Sequence, residues 1–240
     1  MGCNGIRIFL GETWIPHTPS RLHKDLNVRD FHVRKLLNNV IVERGEVNVL
    51  SNIGVIVTIL ILLGLARLVQ QWLYGHSLRT LLTDEDNVAV GIAVAGYFFG
   101  VVWTLSVLVG APGRGLGWWW DILDTLLYGS LSLVLLTGAA LGSCRLFLGQ
   151  SVRAALVEGH NLAAAIVVAG VYIATSLTYS GVLSGEGGGI GIFLLFFVLG
   201  QVALLLLAQV FRLFTNYDDV QEIVNGNIAA ALALTGLLIA

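Results

Sequence analysis

From Asn52 onward the chain is a succession of apolar runs separated by short polar or glycine-rich breaks. Five runs are long enough to cross a bilayer, which takes about 20 mainly apolar residues at roughly 1.5 Å each. They are Asn52 to Leu73, Asn87 to Val109, Ile122 to Leu148, Asn161 to Leu183 and Gly189 to Phe211. A sixth run, Asn227 to Ala240, reaches only about 21 Å as a helix, short of the roughly 30 Å hydrocarbon core. The expectation is that this run is truncated or ends among neighbouring helices. The fold class that follows is all-α, a polytopic membrane helix bundle of five to six spans.

Three of the runs open on one motif. It reads Asp86-Asn87-Val88-Ala89, then His160-Asn161-Leu162-Ala163, then Gly226-Asn227-Ile228-Ala229, and it closes on Gly96, Gly170 and Gly236, nine residues after each Asn. The span before each motif carries a second signature: Ala66-Arg67-Leu68-Val69, Cys144-Arg145-Leu146-Phe147 and Phe211-Arg212-Leu213-Phe214. The repeating unit is therefore a helical hairpin, and three in tandem divide the chain into residues 47–110, 118–184 and 189–240. Arg67, Arg145 and Arg212 are expected near the C-terminal ends of the first helices, where a cation complements the helix dipole and can snorkel to the headgroups.

Asn is a preferred N-cap, its side-chain oxygen accepting from a first-turn N–H that has no partner within the helix. Below each cap runs a stripe of mostly small residues: Ala89, Ala93, Gly96, Gly100; Ala163, Val167, Gly170, Ala174; and Ala229, Ala233, Gly236, Ala240. Small stripes let helix backbones approach closely in lipid, so all three are expected to be buried against protein. The alternative is a solute pathway lined by Asn87, Asn161 and Asn227, since polar groups at membrane depth are functional candidates. Against it, no charged residue lies in the middle of any span. The interior polar groups Thr104, Ser106, Thr137, Thr175 and Gln201 are expected to satisfy one another across helices.

Composition agrees with a lipid-solvated chain: 56% of residues are hydrophobic and 12% charged, against roughly 25% charged in a soluble domain. A net charge of -2 argues against a nucleic-acid partner. Residues 1–46 hold seven of the thirteen basic residues and two of the three prolines. They read as a basic tail, either interfacial through Leu22 to Val40 or solvated, without a secretory signal. Cys3 and Cys144 make neither a disulfide frame nor a metal cluster. Acidic residues before each motif (Asp84, Glu85, Asp86; Glu158; Asp218, Asp219, Glu222) suit helix N-termini, and no metal spacing of His or Cys accompanies them. The loops around Gly113–Gly117 and Gly185–Gly189 lack a phosphate-loop ending, and Trp118, Trp119 and Trp120 read as an aromatic belt. No cofactor, metal site or catalytic arrangement is expected.

Basic residues give a conflict in orientation. Arg67, Arg79, Arg145, Arg153 and Arg212 lie on the Asn side and Arg114 alone on the other, which places the Asn side in the cytoplasm. The basic tail would then lie outside, and it is expected to be a spurious extension.

The motif of an acidic stretch, an Asn, an apolar residue, an Ala and a Gly nine residues on resembles the bacterial membrane family called domain of unknown function 350. The resemblance covers residues 47 to 240, with Asn87, Asn161 and Asn227 as motif asparagines. It implies a bacterial inner-membrane location, about four spans with the motif once in each half, and a loose association with envelope stress. This chain departs from it in carrying three copies and the basic tail. The function expected is a non-enzymatic scaffold or interaction component of the cell envelope. Its partners would be the bilayer and either further copies or other envelope proteins. The alternative is a channel or transporter for a small solute or ion.

Overall fold

The computed structural model describes residues 29–75, 77–110, 118–183, 189–215 and 218–240, with side chains from Asn52 onward. The first 28 residues of the basic tail and the loops at 111–117 and 184–188, with Arg114, lie outside the described residues. Two units divide at Asn48 and Val49, and every side-chain contact described below lies within the second.

All described elements are helical: α1 (Arg29–Tyr74), α2 (Val88–Gly110), α3 (Trp118–Leu148), α4 (Leu162–Leu183), α5 (Gly189–Phe214), α6 (Asp219–Val224) and α7 (Ile228–Ile239), with π-helical turns at Thr80–Asp84 and Ala154–Glu158. Five helices are long and apolar enough to cross a membrane. The chain is a multi-pass membrane protein. Helical backbone begins at Arg29, inside the stretch expected to be tail; no proline follows Pro19 until Pro112 to stop it. Helix α3 starts at Trp118, so its indoles belong to the first turn, and α5 runs past Phe211 to Phe214.

Short connections make successive long helices antiparallel, which leaves α2, α4 and α7 parallel to one another. These three form the centre, α4 packing on both α2 and α7, while α3 packs on α2 and α4, and α5 on α4 and α7. Helix α4 is the most enclosed, and α1 and α5 present mostly exposed apolar side chains such as Leu60, Leu195 and Leu206. In water that exposure would be prohibitive; acyl chains solvate it at no cost.

The central helices meet at the motif glycines. A Cβ on Gly96 would stand 2.5 Å from the Cα of Ala169, and one on Gly100 would stand 3.1 Å from the Tyr172 carbonyl oxygen. Gly170 lies against the side chain of Thr235, whose hydroxyl donates to the Ile166 carbonyl at 3.3 Å. Gly96 and Gly170 thus each touch the residue just before the glycine of the next copy. The small stripes of α2 and α4 are buried as expected, but that of α7 is not: Ala229, Ala233, Gly236 and Ala240 are all exposed. The stripes of the first and second copies are each buried by the copy that follows.

The three arginines of the repeat differ in position too. Arg145 and Arg212 lie in the last turns of α3 and α5, whereas Arg67 lies seven residues before the end of α1, which runs on to Tyr74. The polar residues of the spans mostly bond within their own helices: Thr104 donates to the Gly100 and Val101 carbonyls, and Ser106 to Val102. Thr175 and Gln201, 3.5 Å apart, do bridge α4 and α5. Thr235 and Tyr179 also donate across helices, to the Ile166 and Tyr128 carbonyls, and Thr137 makes no hydrogen bond of good geometry; most of the other hydroxyls find a carbonyl one turn back sooner than a partner on another helix.

Two glycines in these spans should respond oppositely to substitution. Gly96→Val must push α2 off Ala169 and is expected to lower stability by about 1–3 kcal/mol. Gly138, exposed on α3 with open space around it, should gain about 0.5–1 kcal/mol as Gly138→Ala. Thermal unfolding in detergent measures both.

Candidate functional site

Each central helix begins in the same way. A short helical turn comes in, one residue adopts the left-handed conformation, and the Asn follows. Asp86 (φ 47°), His160 (φ 48°) and Gly226 (φ 88°) occupy that left-handed position. Asp and His tolerate it better than most residues, and Gly carries no penalty.

The first two junctions align without a gap, Ser77 to Asn87 with Ser151 to Asn161, sharing the Ser, Arg79 with Arg153, Leu82 with Leu156 and the Asn. In both the turn is a π turn: Glu85 N–H donates to Thr80 O at 3.0 Å, and Gly159 N–H to Ala154 O at 2.9 Å. The third junction is one residue shorter, and the π turn becomes the α-helical α6, capped by Asp218. That is what deleting one residue from an i→i+5 turn should do.

The asparagines cap as expected. Oδ1 accepts from Val90 N–H (3.1 Å) in the first copy, from Ala164 N–H (3.0 Å) in the second, and from Ala229 and Ala230 N–H (3.1 and 3.3 Å) in the third. The other end of the side chain makes the contact that sequence reasoning missed. Asn87 Nδ2 donates across to the Leu156 carbonyl at 2.9 Å, and Asn161 Nδ2 to the Ile223 and Val224 carbonyls at 2.9 and 3.0 Å. These carbonyls lie at the C-terminal ends of the next copy's short turns, where intrahelical donors run out. Asn227 Nδ2 donates instead within its own copy, to Glu222 Oε2 at 2.8 Å. Asn87 is buried, Asn161 partly so, and Asn227 exposed.

The structure therefore does not gather the three asparagines around a common space. It sets them in a row, Asn87 and Asn161 each bonded to the short turn that precedes the next asparagine. An open cleft of about 450 Å³ is lined by Glu222, Asn227, Ala229 and Ala230 at the end of that row. The acidic residues are likewise used locally. Arg212 pairs with Asp218 at 3.7 Å, and Thr215 donates to the buried Asp219 at 3.1 Å. Arg145 and Arg67 are exposed. Among the described residues no group of His, Cys, Asp or Glu could hold a metal ion.

A second cluster lies inside the bundle. Gln70 of α1, Tyr97 of α2, Thr137 of α3 and Tyr172 of α4 are buried together, the two tyrosine rings edge to face at 5.1 Å. The Tyr172 hydroxyl lies near Gln70 and that of Tyr97 near Thr137, yet none of the four makes a hydrogen bond of good geometry. Buried Tyr74 and Cys144 adjoin them. The set is uncharged, so it can exchange hydrogen bonds with a small polar guest but cannot neutralise an ion. Sequence reading passed over it because four residues on four helices leave no local pattern.

The family comparison bears on the row. The model of the family Domain of Unknown Function (DUF350) matches residues 46–183 and 186–240. The chain belongs to this family. Comparison with curated proteins and with solved structures found no match. The DUF350 match covers all three junctions and all five spans, so the row of asparagines lies wholly within it.

The two ends of the Asn side chain can be separated by mutation. Asp keeps the capping oxygen and loses the donor. Asn87→Asp in this DUF350 protein should cost about 1–3 kcal/mol by orphaning the Leu156 carbonyl, whereas Asn227→Asp, exposed and locally bonded, should stay within about 0.5 kcal/mol. Equilibrium unfolding of the purified variants compares them.

Proposed function

We propose that this chain is a non-enzymatic scaffold of a bacterial inner membrane, with its Asn junctions facing the cytoplasm. The observation that carries the reading is the closed seam between the central helices. Gly96 meets the Ala169 backbone, and Asn87 is 2% exposed with both ends of its amide bonded to protein. A solute path along that line would need those groups free, whereas here they serve as fasteners. Orientation rests on Arg67, Arg79, Arg145, Arg153 and Arg212, all on the Asn side.

One observation favours a conduit for a small solute, namely the buried uncharged cluster of Gln70, Tyr97, Thr137 and Tyr172. Unmet hydrogen-bonding groups inside a membrane bundle are where a polar guest would be held. The two readings separate in liposomes. On the scaffold reading, purified protein gives no flux of protons, alkali ions or small neutral solutes, and Asn161→Ala lowers the unfolding temperature. Flux that Gln70→Leu abolishes while the protein stays folded would establish the conduit. For orientation, a cysteine at Arg153 should resist, and one at Arg114 should accept, an impermeant maleimide added to intact cells.

A further inference from the structure

The contacts between copies run in one direction. The front of a copy, its Asn amide and its small stripe, meets the back of the next, which offers the end of a short turn and the residue before the motif glycine. Asn87 and Gly96 meet Leu156 and Ala169; Asn161 and Gly170 meet Ile223 and Thr235. A third pair obeys the same rule. A Cβ on Gly75 would meet the Arg153 guanidinium, and one on Gly149 would meet Val220, which occupies the matching place. An interface that repeats head to tail leaves one front and one back without partners.

Burial shows both. At the front of the third copy Asn227, Ala229, Ala233 and Gly236 are exposed, where Ala89, Ala93, Ala163 and Val167 in the earlier copies are buried, and nothing lies within 4 Å of a Cβ placed on Gly236. At the back of the first copy, Leu82 is 36% exposed while its counterparts Leu156 and Ile223 are fully buried. Val102 is 51% exposed where Ser176 is buried, and Ala95 is exposed where Ala169 and Thr235 are partly covered.

We propose that the protein assembles with itself in the membrane, the front of the third copy in one chain docking on the back of the first copy in another. The surface that receives α7 is the one the chain already builds twice, so the occupant is a second copy of this chain. Asn227 would exchange its local bond to Glu222 for the turn at Leu82, and Gly236 would lie against Ala95. Repetition of this heterologous contact gives a ring if the rotation closes and a row in the plane of the membrane if it does not. The inference rests on the scaffold reading for its purpose, not for its geometry.

Two single-cysteine chains with different tags test it, Ala95→Cys and Gly236→Cys, each in a Cys3→Ser, Cys144→Ala background and each checked for native elution and unfolding temperature. Oxidised in co-expressing membranes, the mixture should give a dimer joined between unlike chains, and neither variant alone should cross-link to itself. Like-with-like dimers, no cross-link in the mixture, or a native chain that is monomeric in lipid nanodiscs by mass would overturn the proposal. As a second arm, Gly236→Trp fills open space, so the chain should fold and run as monomer where the native chain runs as an oligomer; unchanged oligomers would equally overturn it. Failed cross-linking without solute flux removes the assembly and leaves the scaffold, while flux in liposomes removes the scaffold whatever the cross-links show.

Discussion

How near α4 can come to α2 is decided at Gly96, where backbone meets the backbone of Ala169 without a side chain between them. Inside a bilayer two apolar helices gain nothing by hiding from lipid, which is as apolar as they are. What remains is dispersion and the polar contacts that only close approach permits, and dispersion falls steeply once a gap opens. Larger side chains at Gly96, Gly100 and Gly170 would move the central helices apart, and the asparagine amides would then lose their carbonyls. The outer helices α3 and α5 pack over seams that the glycines create.

The junction at the membrane face has chemical requirements of its own. One side chain must accept from the N-terminus of its helix and donate to the end of a turn on another. Asp can accept but not donate when ionised, and Ser does both but is too short to do so in two directions. Asn carries the two functions on separate atoms a fixed distance apart. The third junction has the same Asn and a turn one residue shorter, and the Ile223 carbonyl still meets Asn161. The contact is kept while the turn that supplies it changes from π to α.

A row of identical contacts is a different object from a pore lined by identical residues. In a row each motif is consumed in binding the next, and only its ends remain for other partners. In a pore the motifs would face a common space and stay free. The central seam has the first character, and the uncharged cluster around Tyr97 and Tyr172 is not part of the repeat.

Much of this was legible from residue order. Apolar run lengths fixed the five spans, because the bilayer imposes a length and a helix converts it to residues. The spacing of Asn87, Asn161 and Asn227 from their glycines identified the repeat and the caps, since capping is local chemistry within one turn. Tertiary structure alone decided which partner each face receives. The stripes of α2, α4 and α7 look alike in sequence, yet two are buried and the third is exposed, because burial belongs to the neighbour and not to the helix that carries the stripe. The second bond of each asparagine and the cluster of Gln70, Tyr97, Thr137 and Tyr172 likewise join residues from different helices, and no local spacing encodes a meeting that only packing brings about.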